Sequence, residues 1–202
     1  MGDIHRSFDL LNELIQIEKP DLILQCGDFG ILPNETCVEN GDVPILFCDG
    51  NHDAYDQILP GTEVAKNVFH MRRGAIVYIN NQPVLFIGGA DSVVDRAYRT
   101  ENVDWFPELE TISADDLGAL PKRQAVHTVI SHTCPNEFCL QIPLRFYGRE
   151  LSKDALSHVL HRYMPKRWLF GHYHAHMRGN DDWCEWECLS IAGDVGWWRR
   201  VF

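Results

Sequence analysis

Short apolar runs that end in a glycine and then in polar side chains recur along this sequence. The run at residues 44–48 leads to Gly50-Asn51-His52-Asp53, and the run at residues 22–24 leads to Gly27-Asp28. Such runs are typical of buried strands, and a glycine lets the backbone turn tightly where the strand ends. In open α/β folds the carboxyl ends of strands meet at a ligand-binding edge. We therefore expect the chain to fold around a sheet edge that carries these polar side chains.

Three further polar clusters occur in comparable places. Asp3 and His5 open the chain, His132 follows an apolar run at residues 125–131, and His172 and His174 follow the run at residues 167–170. Five such clusters at one edge would bury uncompensated carboxylates and imidazoles unless cations neutralised them. Mixed nitrogen and oxygen ligands suit divalent transition metals such as Mn, Fe, Zn, Co or Ni.

Length and charge limit the class of protein. The 202 residues, 45% of them hydrophobic and 23% charged, predict one globular domain over residues 1–202. The formal net charge of -11 argues against a broad nucleic-acid-binding surface, which is normally basic. No apolar run approaches the ~20 residues of a membrane span, and the N-terminus has no signal-peptide core. With an odd number of cysteines, seven, we expect reduced thiols in a cytoplasmic protein without a membrane partner.

Local patterns predict several elements. Apolar residues recur with helical spacing over residues 8–17, with Ser7 as the N-cap, and over residues 152–163, with Ser152 as the N-cap. Residues 75–79 and 83–87 are predicted strands, joined by a hairpin turn at Asn80-Asn81-Gln82. Residues 91–124 are charged and aromatic and lack a strong period, so we predict an excursion over the sheet edge.

The five polar clusters resemble the five ordered motifs of the calcineurin-like metallophosphoesterases. The motifs here are Asp3-Ile4-His5, Gly27-Asp28, Gly50-Asn51-His52-Asp53, Ser131-His132 and Gly171-His172-Tyr173-His174. The match spans residues 2–174, and the size and short loops are most similar to small bacterial or phage-type members. Members of this family fold as a four-layer α-β-β-α sandwich, so the resemblance implies two mixed β-sheets face to face with helices outside.

The resemblance also implies a role for each motif residue. The first of two metal ions would be bound by Asp3, His5 and His174, the second by Asn51, His132 and His172, and Asp28 would bridge the two. His52 would stand near the leaving group as the general acid, and Asp53 or another carboxylate would orient it. The cofactors would be two divalent transition-metal ions, with manganese expected first and iron, zinc, nickel or cobalt as alternatives.

These roles predict a metal-dependent hydrolase of phosphomonoesters or phosphodiesters. Two metal ions ~3.5–4 Å apart hold a hydroxide between them and lower the pKa of water from ~15.7 towards ~7. The hydroxide would attack phosphorus in line, and His52 would protonate the leaving oxygen. The expected substrate is a small phosphoester or a nucleotide.

The sequence departs from the family pattern in two places. Only Met1 and Gly2 precede Asp3, where the family has an apolar strand. Either the central sheet lacks that strand or the coding start is placed too far downstream, and an incomplete sheet would leave Asp3 on a frayed terminus. The second motif also lacks the Asp and the phosphate-clamping Arg that protein serine/threonine phosphatases have after it. The replacement candidates for binding substrate phosphate are Arg6, Arg96 and Arg99.

Two other functions remain open from the sequence. A catalytically weak or inactive scaffold of the same fold would use surface aromatic residues such as Trp197 and Trp198 to bind a partner protein. A nuclease would need a basic groove, which the acidic composition does not favour. Exposed tryptophans would permit a homodimer.

Overall fold

Parallel strand pairs dominate both sheets of this chain. The computed structural model describes residues 1–141 and 149–202. The helices are α1 (Phe8–Glu18), α2 (Pro107–Glu110), α3 (Ala114–Ala119) and α4 (Leu151–Tyr163), with a 3₁₀ turn at Arg96–Tyr98. The strands are β1 (Ile23–Gln25), β2 (Ile45–Phe47), β3 (Glu63–Ala65), β4 (Val68–His70), β5 (Ala75–Ile79), β6 (Gln82–Ile87), β7 (Thr128–Ser131), β8 (Arg167–Phe170), β9 (Met177–Asp181) and β10 (Cys184–Cys188).

The strands form two mixed sheets. One has four strands in the order β1-β2-β4-β3, and the other has six in the order β5-β6-β7-β8-β10-β9. Within them β1, β2 and β4 run parallel, as do β6, β7, β8 and β10. Parallel strands end at the same edge of a sheet. The segments that follow β1, β2, β7 and β8 carry four of the five polar clusters to that edge.

Alternating side chains divide each sheet into an inner and an outer face. Leu24 of β1 points inward, where it joins Ile130 of β7 and Leu169 of β8 in an apolar layer between the sheets. Its neighbour Ile23 points outward and packs with Leu11 of α1. The four-stranded sheet is therefore covered on one face by α1 and on the other by the six-stranded sheet.

The outer face of the six-stranded sheet packs against α4. Leu156 and Leu160 of this helix lie in one apolar cluster with Trp168 and Phe170 of β8. The layers thus run helix, sheet, sheet, helix, which confirms the α/β four-layer α-β-β-α sandwich with two mixed sheets.

Both amphipathic helices form where the sequence predicts them, but their caps differ from expectation. α1 starts directly after Ser7, whose hydroxyl makes no capping hydrogen bond. α4 starts at Leu151, with Glu150 at the N-cap position. The predicted cap at Ser152 is wrong, because Ser152 is buried and its Oγ accepts a hydrogen bond from the backbone N–H of Ile112 (3.1 Å). This hydroxyl joins α4 to the segment before α3.

The predicted hairpin between β5 and β6 is confirmed with a shorter turn. Ile79 pairs with Gln82, so only Asn80 and Asn81 connect the strands. Both have positive φ, 48° and 62°. This conformation is that of a two-residue type I′ turn, and asparagine adopts it readily.

The 91–124 segment contains α2, α3 and the 3₁₀ turn, and a single arginine fastens part of it to the sheet. The Arg73 guanidinium donates hydrogen bonds to the backbone oxygens of Leu109 (2.7 Å), Glu110 (3.1 Å) and Thr111 (2.9 Å). It also pairs with the buried carboxylate of Asp49 (2.6 Å). The excursion is therefore held beside the segment that follows β2.

The seven cysteines are all free thiols, as the sequence predicts. In the described part of the chain, no helix has the length and apolar character needed to cross a membrane.

Candidate metal centre

One group of four side chains converges at the sheet edge. Asp3, His5, Asp28 and His174 each offer one ligand atom, and these atoms all lie within 4.8 Å of one another. His174 Nε2 is 3.0 Å from Asp3 Oδ2 and 3.1 Å from His5 Nε2. His5 Nε2 is in turn 3.4 Å from Asp28 Oδ2. Two carboxylates and two imidazoles at this spacing form a nitrogen and oxygen donor set suited to a divalent transition metal.

A second group meets around Nε2 of His132. This nitrogen lies 3.1 Å from Asn51 Oδ1, 3.2 Å from His172 Nδ1 and 3.3 Å from Asp28 Oδ2. The same carboxylate oxygen of Asp28 therefore stands between the two groups. The structure thus brings together all seven residues predicted as metal ligands: Asp3, His5, Asp28, Asn51, His132, His172 and His174.

The backbone at these positions adopts an uncommon conformation. His5, Asp28, His172 and His174 have positive φ, between 43° and 70°. Left-handed backbone costs about 1–2 kcal/mol per non-glycine residue. Clusters of such residues are typical of functional sites, where the surrounding structure holds them in place.

Two glycines allow the carboxylates to approach the neighbouring motifs. A Cβ on Gly50 would overlap Asp28 Oδ1, and a Cβ on Gly171 would overlap Asp3 Oδ1. The freed space lets the backbone N–H of His52 donate to Asp28 Oδ1 (2.8 Å) and that of His172 donate to Asp3 Oδ1 (3.0 Å). Glycine is thus needed here for close packing around the carboxylates.

Burial and charge perturb the ionisable groups of the site. Burial would raise the pKa of Asp28, but His132 and the other nearby imidazoles lower it well below its usual range. Burial would lower the pKa of His132, but Asp28 and Asp3 raise it to about 10. Where no metal ion is bound, a proton on His132 would balance the negative charge of Asp28. The donor set fits cations in place of that proton, since divalent ions require deprotonated ligands.

Asp3 is not frayed, contrary to the expectation for an incomplete sheet. Residues 1–5 form no strand, but Asp3 is fully buried. Its backbone oxygen accepts a hydrogen bond from Ala192 N–H (2.8 Å), and Met1 O accepts one from Cys26 N–H (3.0 Å). These bonds fix Asp3 from both sides.

His52 lies at the rim of the site, and its carboxylate partner is Asp95. His52 Nε2 is 3.0 Å from Asp95 Oδ2, and the His52 and His5 ring centroids are 5.3 Å apart. The sequence did not identify Asp95 because nothing distinguishes it among the acidic residues of the 91–124 excursion.

Asp53 occupies a different place from that expected. Its carboxylate is buried and accepts hydrogen bonds from the backbone N–H groups of Asp28 (3.0 Å), Gly30 (2.8 Å) and Gly50 (2.8 Å). Burial and the charge of Asp28 raise its pKa to about 6. These three hydrogen bonds fix the loops around Asp28, and the carboxylate paired with the His52 ring is Asp95 instead.

The three arginines predicted to bind phosphate lie in different environments. Arg6 donates to Gly30 O (2.7 Å) and pairs with Glu35 (2.5 Å), with half of its side chain exposed. Arg96 is exposed on the 3₁₀ turn. Arg99 is 10% exposed, and its guanidinium donates to Asn51 O (2.9 Å) and Ser92 Oγ (2.6 Å). The prediction that Arg99 binds substrate phosphate is therefore withdrawn, because its N–H groups already donate to these acceptors within the protein.

Asn51 is held in place by residues of the 91–124 excursion, and the sequence did not predict these contacts. Asn51 Nδ2 donates to Ser92 Oγ (3.1 Å), which leaves Oδ1 facing His132. Ser92 is fixed in turn because its backbone N–H donates to the buried carboxylate of Glu110 (2.9 Å). The excursion thus sets the side-chain orientation of one predicted ligand.

A sequence model of the calcineurin-like phosphoesterases matches residues 1–176. Among solved structures, the chain is similar to one described as GAP50, the anchor in the inner membrane complex of Plasmodium. The TM-score is 0.51 and the sequence identity 11%, over 93% of this chain and 69% of that chain. At that identity the likeness shows the shared fold alone. No curated protein matches the sequence.

Proposed function

This chain belongs to the calcineurin-like phosphoesterase family, and on that premise we propose that it is a metal-dependent hydrolase of phosphomonoesters or phosphodiesters. Family membership supports phosphoester hydrolysis as the class of reaction. One observation carries the proposal for this chain: Asp28 Oδ2 lies 3.4 Å from His5 Nε2 and 3.3 Å from His132 Nε2, at the meeting point of two donor groups.

Each donor group would hold one divalent ion, with manganese as the first candidate. Asp3, His5 and His174 would bind one ion, Asn51, His132 and His172 the other, and Asp28 both. When bound, the two ions polarise the phosphoryl oxygens and lower the pKa of water from ~15.7 towards ~7. The backbone N–H groups of His172 and His52 donate to Asp3 and Asp28 and hold these carboxylates in fixed orientations, so little reorganisation is needed as the reaction proceeds.

His52 would donate a proton to the leaving oxygen. It lies beside His5 but outside both donor groups, with 40% of its side chain exposed, so it can reach a bound ester. Asp95 Oδ2, 3.0 Å from His52 Nε2, would hold the imidazole in one orientation. Asp95 is therefore the carboxylate proposed to orient His52.

A phosphate clamp, if the substrate requires one, would come from Arg96 or Arg6. Arg96 is exposed close to Asp95 in sequence. Arg6 adjoins His5 but would first have to exchange its ion pair with Glu35 for one with the substrate. A charge-assisted hydrogen bond to a phosphoryl oxygen is stronger than one to a neutral acceptor.

A non-catalytic scaffold is the alternative function. It is supported by the similar structure of GAP50, because that protein is described as an anchor. The seven donor residues and the His52–Asp95 pair support the hydrolase instead.

Metal-dependent turnover tests the proposal. The purified protein would be stripped of metal, reloaded with Mn, Ni, Co, Zn or Mg, and assayed with para-nitrophenyl phosphate and bis-para-nitrophenyl phosphate. We expect turnover with at least one metal and none without. His172→Ala should lower kcat by about 100-fold or more, whereas His158→Ala, at an exposed position on α4, should leave it unchanged. Full activity of His172→Ala, or no activity with any metal, would overturn the proposal.

A further inference from the structure

A groove opens beside His52, and its lining residues include none of the seven predicted metal ligands. Its volume is about 450 Å³, and its walls come from the loop after β2 and from the 91–124 excursion. His52 and Asp95 both line it, and the His52 ring centroid lies 5.3 Å from that of the predicted ligand His5. If His52 protonates the leaving oxygen, the group attached to that oxygen lies next to this groove.

One wall of the groove presents apolar and aromatic surface to solvent. Tyr98 is 90% exposed and Val103 is 69% exposed, and both line the groove with Phe106. Exposed apolar side chains that lie together in one patch are typical of ligand-binding grooves and interaction surfaces. The rings of Tyr98 and Phe106 and the apolar side chain of Val103 suit an apolar or aromatic group.

The charge in the groove is negative. Asp56, Asp95 and Asp104 line it with exposed or half-buried carboxylates. The one guanidinium among the lining residues belongs to Arg99, which is already bonded to Asn51, Ser92 and the backbone of Asp104. Asp95 is paired with His52 and Arg99, so the exposed carboxylates of Asp56 and Asp104 are the ones that would repel a carboxylate or second phosphate on the leaving group.

We propose that this groove is the leaving-group subsite, and that it selects phosphoesters of uncharged or cationic alcohols or phenols with an apolar or aromatic face over esters whose leaving group is anionic. This inference rests on the hydrolase proposed above and deepens it. Tyr98 supplies the face for stacking or for a cation–π contact. Asp56 supplies the attraction for a cation and the repulsion for an anion.

Substrate charge provides the first test. Phenyl phosphates carrying a para-trimethylammonio or a para-carboxylate substituent would be compared at low salt. The ratio of kcat/KM between variant and wild type is taken for each substrate, because this cancels the substrate's own reactivity. We expect the carboxylate substrate to be disfavoured by about tenfold. Asp56→Asn should reduce this discrimination by about two- to fivefold, and the control Asp115→Asn on α3 should not.

Binding without turnover provides a second, independent readout. Phenyltrimethylammonium and benzyl alcohol would be titrated into the metal-loaded protein by saturation-transfer NMR. We expect Tyr98→Ala to weaken both probes and Asp56→Asn to weaken the cation alone. Tyr78→Ala, an exposed tyrosine on β5 outside the groove, is the matched control.

The outcomes separate the two proposals. An Asp56→Asn change in kcat/KM that is the same for both charged substrates, or probe binding that is indifferent to Asp56 and Tyr98, would overturn the groove's selectivity while leaving hydrolysis in place. Absence of turnover with every aryl phosphate, together with probe binding that depends on Asp56 and Tyr98, would overturn the hydrolase and retain the ligand class of the groove.

Discussion

Asp95 Oδ2 lies 3.0 Å from Nε2 of His52, so the 91–124 excursion supplies the carboxylate partner of the one motif histidine that stands outside the donor groups. The motif's own carboxylate, Asp53, is bonded to three backbone N–H groups instead. Asp53 therefore fixes the loops around Asp28, whereas Asp95 is the carboxylate proposed to orient His52 for proton transfer.

Replacing Asp95 should affect substrates according to their leaving group. Because an unstable leaving oxygen needs a proton and a stable phenolate does not, Asp95→Asn should lower kcat by about tenfold for an alkyl phosphate and little for para-nitrophenyl phosphate. Bound metal per chain should not change. Steady-state kinetics on both substrates, with Asp115→Asn as the control, measures this. An equal loss on both substrates would contradict the orienting role.

Ser92 should control the affinity of the second metal position. Ser92→Ala removes the acceptor that holds Asn51 Nδ2, and it frees one N–H of Arg99. Loss of a group that orients a metal ligand lowers metal affinity by about 10- to 100-fold. Competition with a chelator dye would measure both affinities. Ser113→Ala removes a helix-capping hydroxyl far from Asn51 and should leave both affinities unchanged; the same loss in that variant would refute the assignment.

The sequence predicted those strands and turns whose residue pattern matches their burial or backbone conformation in the fold. The strands before the motifs are continuous apolar runs because they are buried on both faces, and Asn80-Asn81 has the backbone preference that its turn requires. β9 was not predicted, because Met177–Asp181 is largely polar and becomes a strand through its pairing with β10.

The same limit applies to the site. Asp3, Asp28 and the motif histidines are recognisable from short patterns, but Asp95, Ser92 and Arg99 reach the centre only through tertiary packing of the excursion. The predicted N-cap of α4 was wrong for a similar reason, because the Ser152 hydroxyl accepts a hydrogen bond from Ile112 N–H rather than capping its own helix.

The buried Asp49–Arg73 pair should contribute strongly to stability. Their side chains are 4% and 11% exposed, so Asp49→Asn should lower the free energy of unfolding by about 3–5 kcal/mol. Chemical denaturation measures this difference. Asp42→Asn, at a fully exposed ion pair with Lys66, should leave stability unchanged, and an equal loss in both variants would contradict the role of burial.

The same pair predicts a specific dependence on pH. Burial would raise the pKa of Asp49, but Arg73 and His70 lower it well below its usual range. A carboxylate with a lowered folded-state pKa stabilises the protein above its unfolded-state pKa of about 3.9, and this stabilisation is lost as the pH falls below that value. The difference in unfolding free energy between wild type and Asp49→Asn should be constant above about pH 5 and shrink below about pH 4. A difference that grew on acidification would contradict the assignment.

Gly171→Ala should displace Asp3 from the centre. The added methyl group would overlap Asp3 Oδ1, so we expect loss of the first metal and of activity. Gly118→Ala is the matched control, since its Cβ meets no neighbour and it lies within α3. That variant should gain about 0.5–1 kcal/mol of stability and keep its metal content. Elemental analysis and thermal unfolding distinguish the two, and unchanged metal content in Gly171→Ala would refute the packing argument.

Anomalous diffraction from crystals grown with manganese tests the central claim most directly. The account predicts two peaks at the sheet edge, one contacted by Asp3, His5 and His174 and the other by Asn51, His132 and His172, with the carboxylate of Asp28 between them. A single peak, or peaks that do not contact Asp28, would contradict the dinuclear centre.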